Sequence, residues 1–206
     1  MYSIDRYRYF LHVMRKNRLE VFRLAGVALA TAKFRYVKRC VGKGSIVETR
    51  TRIINAGNVR IGKGVLLKEG TYIRAGTEGK IIIGDRSALN CYCRLFGHGL
   101  IEIGEDTQIG PGTIITTTDH DYQSNLETRF KGVVIGRGVW IGANVTILPG
   151  AEIGDFAVIG AGSVVSRKIP PRSLALGIPA RVVMQLNERA EMAENDESQR
   201  RSGVPR

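Results

Sequence analysis

Residues 103–120 read IGEDTQ-IGPGTI-ITTTDH, and residues 135–164 read IGRGVW-IGANVT-ILPGAE-IGDFAV-IGAGSV. These are eight six-residue units on one beat, parted only by the fourteen residues 121–134. Taken outward in both directions as triplets of hexapeptides, the beat starts successive coils at Val41, Ile61, Ile83, Ile103, Ile135 and Ile153. Second hexapeptides start at Val47, Leu67, Leu89, Ile109, Ile141 and Ile159, and third ones at Ile53, Ile73, Leu95, Ile115, Ile147 and Val165.

All eighteen of these positions are Val, Ile or Leu. Glycine follows the first aliphatic of every coil, at Gly42, Gly62, Gly84, Gly104, Gly136 and Gly154. Four places after the aliphatic stand small or β-branched residues: Ser45, Val65, Ser87, Thr107, Val139 and Ala157, then Thr51, Thr71, Cys93, Thr113, Val145 and Ser163. An inward aliphatic, a glycine free to take an unusual φ and a small residue filling the remaining interior predict a triangular prism of short parallel strands. Six coils at a strand spacing of about 4.8 Å make a prism of roughly 29 Å. Insertions of two, four, two, fourteen and no residues precede the later coils, all at one corner. That edge is where a solenoid elaborates a binding surface.

The rest of the chain is organised around this prism. Residues 1–40 carry ten Lys or Arg against Asp5 and Glu20, most of the net +12. Phe10, Leu11, Val13, Met14, Val21, Phe22, Leu24 and Val27 recur at three and four spacings there, which predicts a basic amphipathic helical segment for packing on the prism or for a membrane surface. The prism occupies 41–170 with a loop at 121–134. Residues 171–192 form a capping segment with a short helix from Val182, and 193–206 a polar tail.

Twenty-five glycines against six prolines fit repetition rather than disorder. Cys40, Cys91 and Cys93 are odd in number and lack metal-type spacing, which points to a reducing cytoplasm. No apolar run approaches the roughly 20 residues of a membrane span, and no signal-peptide core is present.

The repeat, together with DHDYQSNLETRFKGVVIGRGVW and SRKIPPRSLALGIPARVV, resembles the left-handed parallel β-helix (hexapeptide-repeat) acyltransferases. It is most similar to bacterial sugar and exopolysaccharide O-acetyltransferases of the maltose, galactoside and colanic-acid type. The resemblance implies an all-β, left-handed coil and transfer of acetyl from acetyl-CoA to a hydroxyl, at a site between subunits of a homotrimer. It also implies a general base at His120, a residue type able to take a hydroxyl proton near neutrality. Asp119 and Asp121 flank it as candidates to orient the ring, and Asn90 and Arg94 are candidates for holding the acceptor.

For the cofactor, Gly142 and Ala143 stand eighteen residues before Gly160 and Ala161, a small-residue column with accessible amides. By resemblance Trp140 lies near the cofactor, and Ser166, Arg167, Lys168 and Arg181 meet its nucleotide and phosphates. Arg167-Lys168 stands where the family has Lys-Asp, which exchanges an acid for a base. His98, in a corner, reads as an ordinary loop residue. The alternatives are an N-acetyltransferase on an aminosugar nucleotide, a γ-class carbonic anhydrase, which needs three ligand histidines, and a non-catalytic scaffold. No nucleic-acid motif is present, and no metal is expected. The site of action implied is cytoplasmic, at the inner face of the membrane if residues 1–40 dock there.

Overall fold

The computed structural model describes residues 18–121 and 127–186. Residues 1–17 of the basic segment, the five residues at the tip of the long insertion, and the expected tail therefore lie outside the described residues.

The coils stack in the expected register as a left-handed parallel β-helix. On sheet A, Val41, Ile61, Ile83, Ile103, Ile135 and Ile153 follow one another directly. On sheet B the column is Val47, Leu67, Leu89, Ile109, Ile141 and Ile159. On sheet C it is Ile53, Ile73, Leu95, Ile115, Ile147 and Val165. All eighteen are buried, and they form the central columns of a core that also includes Val65, Ile81, Ile101, Val133, Val139 and Val145.

The small interior positions do more than fill space. Ser45 Oγ donates to Gly62 O at 2.8 Å and accepts from Val65 N at 3.0 Å. Ser87 Oγ repeats this with Gly104 O and Thr107 N, and Thr107 Oγ1 with Gly136 O and Val139 N. Each of these buried hydroxyls thus spends both its donor and an acceptor on the next coil, so none is stranded in the core.

The glycine after each coil's first aliphatic has a different cause from the one expected. A Cβ on Gly42 would stand 2.5 Å from Gly62 O, and one on Gly104 would stand 2.5 Å from Gly136 O. Close stacking of successive corners, not φ, excludes a side chain. The left-handed φ falls two residues later, at Gly44, Gly64, Arg86, Asp106, Gly138 and Phe156.

Both ends of the prism are closed. Helix α1 (Arg18–Ala32), which continues into a π-helical turn Lys33–Val37, lies over the first coil. Val47 N donates to Thr31 Oγ1 at 2.9 Å, and the Arg35 guanidinium donates to Ser45 O at 2.7 Å. Side-chain groups of the helical segment thereby satisfy a sheet edge. Leu24, Val27, Thr31 and Phe34 face the prism, but Phe22, Leu29 and Tyr36 face away, so the helix is apolar on two sides rather than one.

At the other end the ladder does not stop at Ile169-Pro170-Pro171. Ile169 bridges Ile153, and the strand Ser173–Leu176 joins sheet B beside Val158 and Ile159, beginning a seventh turn. The prolines sit in a corner, where little ladder bonding is asked of them. The helix expected from Val182 is instead a strand, Arg181–Gln185, antiparallel to Ser173–Leu176. Pairing with an open edge outweighs helical spacing in a segment rich in β-branched residues.

Candidate active site

The long insertion is a β-hairpin rather than a loop. The strand Thr118–Asp121 leaves sheet C and pairs antiparallel with Glu127–Phe130, with His120 opposite Thr128. Its root is fixed to the coils on either side. Thr117 Oγ1 accepts from Gly99 N at 2.8 Å, Lys131 N donates to Thr117 O at 2.9 Å, and Gly150 N donates to Gly132 O at 3.0 Å. His120 stands exposed on this arm.

Alternation along a strand sends Thr118 and His120 to one face and Asp119 and Asp121 to the other. Asp119 Oδ2 accepts from Lys131 Nζ at 2.8 Å, and Oδ1 accepts from the main-chain N–H of His120 at 3.0 Å. Asp121 meets Arg129 at 2.6 Å. The hydrogen bond from Lys131, with its charge, holds the Asp119 carboxyl below its ordinary range. The carboxylates therefore brace the arm against cations of its return strand, a role not expected from the sequence.

Asn90 and Arg94, four residues apart, go to different faces. Asn90 lies in a groove of ≈ 390 Å³ on sheet B with Leu66, Lys68, Gln108, Gly110 and Trp140. Its Oδ1 accepts from Cys91 N at 2.8 Å, so it also shapes its own corner. Trp140 is 61% exposed on the rim of that groove. Arg94 points outward from sheet C. Cys93 fills its interior slot, and burial pushes its thiol up to about 12.

Gly142, Ala143, Gly160 and Ala161 form the expected column at the corner between sheets B and C. Two of their amides are already committed: Gly142 N donates to Ile159 O at 2.8 Å and Gly160 N to Ala175 O at 2.9 Å. Arg181 follows at the top of the same corner, paired with Leu176, which packs on Gly160. Ser166, Arg167 and Lys168 are exposed at the opposite edge of sheet C, with Lys168 3.0 Å from Glu152. In one chain, then, the small-residue column and the His120 arm stand on opposite edges of sheet C.

Sequence reasoning passed over the residues that place the arm, namely Thr117, Lys131, Phe130 and His98. Their signal exists only in the stacking, which puts residues 98–99 against residues 117 and 130.

Residues 132–167 match the family model described as bacterial transferase hexapeptide (six repeats). Galactoside O-acetyltransferase of Escherichia coli is 34% identical over 149 residues, 70% of this chain and 72% of that protein. A second Escherichia coli protein, WbbJ, named for O-acetyl transfer in lipopolysaccharide biosynthesis, is 32% identical over 157 residues, 69% of this chain and 79% of its own. Among solved structures, AntD, an N-acyltransferase from Bacillus cereus in complex with dTDP and 3-hydroxybutyryl-CoA, superposes with a TM-score of 0.67. At 24% identity, over 79% of this chain and 91% of that one, it shows likeness of fold. A coil register kept through six turns, a long arm carrying a histidine, and relatives matched over most of their length lead to one conclusion: this chain belongs to the hexapeptide-repeat, left-handed β-helix acyltransferases.

Proposed function

We propose that the protein transfers an acetyl group from acetyl-CoA to a hydroxyl of a sugar or polysaccharide unit, with His120 as general base. The observation that carries this reading is the placement of His120. It is an exposed imidazole on a hairpin whose root is hydrogen-bonded to the coils below and above it. A base held on a rigid support can meet an acceptor oxygen in repeatable geometry. The neutral ring takes the hydroxyl proton as the oxygen forms its bond to the acetyl carbon. The proton then passes from the imidazolium to the departing thiolate. The acyl donor supplies an activated carbonyl, and the residues of this chain supply position and proton transfer.

With the Gly142 and Gly160 amides committed, the N–H groups of Ala143 and Ala161 are the column's candidates to meet developing negative charge on the carbonyl oxygen. Trp140, Ser166, Arg167, Lys168 and Arg181 are assigned to the coenzyme. The opposite positions of the arm and the column support a homotrimer in which the arm of one subunit serves the column of the next. The names of the two Escherichia coli relatives support a saccharide hydroxyl over an amine as acceptor.

Helix α1 supports peripheral attachment at the inner face of the membrane. Phe22, Leu29, Tyr36 and Val37 are 72% to 74% exposed on the outer side of the helical segment, beside Arg23, Lys33, Lys38 and Arg39. An apolar stripe with basic flanks suits an anionic bilayer surface. No helix among the described residues is long and apolar enough to cross one.

The decisive experiment incubates purified protein with acetyl-CoA and a panel of neutral sugars and aminosugars while thiol release is followed. Turnover with hydroxyl acceptors that is abolished by His120→Ala supports the reading. Turnover confined to amines, or surviving that substitution, removes it.

A further inference from the structure

Sheet C carries a further feature on the coils below the arm, around the acceptor candidate Arg94. Its outward residues in the first three coils are Arg52, Tyr72 and Arg94 in one column and Ile54, Arg74 and Phe96 in the next. From the fourth coil upward the first column changes to Ile114, Thr146 and Val164. The cationic character is confined to the lower half.

Arg50, Arg52, Tyr72, Arg94 and Phe96 line a cleft of ≈ 370 Å³ there. Tyr72 and Phe96 meet as a tilted aromatic pair, with centroids 5.7 Å apart. Arg50 at the rim is neutralised by Glu69 at 3.0 Å. Arg52 and Arg94 are exposed and have no carboxylate partner among the described residues. They stand one coil below and one coil above Tyr72, so about 10 Å separates their backbones. Two guanidinium forks thus flank a half-buried aromatic ring, presenting hydrogen-bond donors to an anion and a π-face to a planar or apolar group.

The cleft adjoins the arm. Phe96 is paired with Thr116, and Thr117 N donates to Phe96 O at 3.1 Å, immediately before the strand that bears His120. Phe96, at one side of the cleft, therefore lies one coil below the strand segment that leads into the arm.

We propose that this cleft binds a diphosphate ester and that the acceptor is a saccharide linked through diphosphate to a nucleoside or a lipid. The inference rests on the acetyl-transfer reading for its acceptor role, but the binding site stands independently of it. A diphosphate matches the chemistry because its oxygens accept from guanidinium forks in pairs. Its other substituent, a base or an isoprenoid chain, can lie on Tyr72 and Phe96.

The test is calorimetry on the full-length protein with inorganic diphosphate, uridine diphosphate and farnesyl diphosphate as probes. All three should bind, more weakly as salt rises. Arg52→Gln and Arg94→Gln should each weaken binding roughly tenfold or more, the range expected when a charge-assisted hydrogen bond is lost. Tyr72→Ala should weaken the two organic probes and leave inorganic diphosphate unchanged. Tighter binding of farnesyl than of uridine diphosphate assigns a lipid-linked acceptor, and the reverse order a nucleotide-linked one.

Undetectable binding of all three, or equal affinity in the parent and the Arg52→Gln/Arg94→Gln double variant with unchanged melting, overturns the proposal. Turnover by the parent protein separates the two readings. Diphosphate binding that persists while turnover never appears with any acceptor removes the acetyl-transfer reading and keeps the cleft.

Discussion

The rings of His98 and Phe130 lie stacked, 5.6 Å between centroids and 20° between planes, joining the corner of the third coil to the return strand of the arm. His98 is therefore a support beneath the arm and not the bystander its corner position implies. His98→Ala or Phe130→Ala should lower kcat roughly tenfold to a hundredfold, the range in which small misplacements of a catalytic group fall. KM for acetyl-CoA and the melting temperature should stay near parental values. Unchanged kcat in both variants would show that the arm holds its place without the stack.

His120→Ala should cost ~10² to 10⁴-fold in kcat. The residue is exposed and its strand pairing is main-chain, so melting behaviour should not move. Activity of the parent should decline on acidification, since only a neutral imidazole accepts a proton. A variant that keeps parental turnover would end the assignment.

Asp119 and Lys131 give the arm a pH response of its own. The Asp119 carboxyl is depressed by Lys131, so its contribution to the folded arm is complete above the ordinary carboxylate range and is lost as pH falls through the depressed value. Protection factors for the amides of residues 118–121 and 127–130, referred to intrinsic exchange at each pH, should therefore fall at low pH, below the range where unpaired carboxylates titrate. Lys131→Met should move that change upward in pH. Identical exchange profiles in the variant and the parent would assign the stability of the arm to its strand pairing alone.

Arg167→Ala, Lys168→Ala and Arg181→Ala should raise KM for acetyl-CoA more than KM for the acceptor, because their assigned contacts are remote from the reacting carbonyl. Lys168 is tied to Glu152 at 3.0 Å and should show the smallest effect of the three. A triple variant with parental coenzyme KM would mean that the nucleotide lies elsewhere.

Removing residues 1–40 is a poor test of membrane attachment, since Thr31 and Arg35 satisfy the edge of the first coil. Phe22→Ser combined with Leu29→Ser alters only the outer side of α1. Sedimentation with anionic vesicles should drop severalfold in this variant and fall with salt in the parent. Equal sedimentation of the two proteins would leave α1 a structural cap.

The register of six coils is legible in the sequence because an interior aliphatic recurs at every sixth residue, whereas the hand of the coil comes from the resemblance and not from the spacing. The partnership of His98 and Phe130 is not legible there. They are thirty-two residues apart and meet only because the arm folds back over the preceding corner. Gly42 and its equivalents are the expected residue for an unexpected reason, since sequence gives composition at a corner but not which backbone crowds it. The carboxylates beside His120 illustrate the same limit. Adjacency in DHD suggests shared work at the ring, but it does not reveal that Lys131 and Arg129 of the return strand hold the two carboxylates. Val182 onward shows it once more, because an unpaired edge is a property of the assembled prism and is invisible in a spacing count.

A ladder built by repeating one step has no intrinsic length, and nothing in the coil itself prevents a second molecule from continuing the stack. Here α1 covers the first rung, and the strand Arg181–Gln185 runs against the direction of the last one, so neither end of the prism presents a parallel template. The size of this protein is thus set by its two stoppers rather than by its repeat. Loss of one would open a single end, and only loss of both would leave a prism able to stack end to end into fibres.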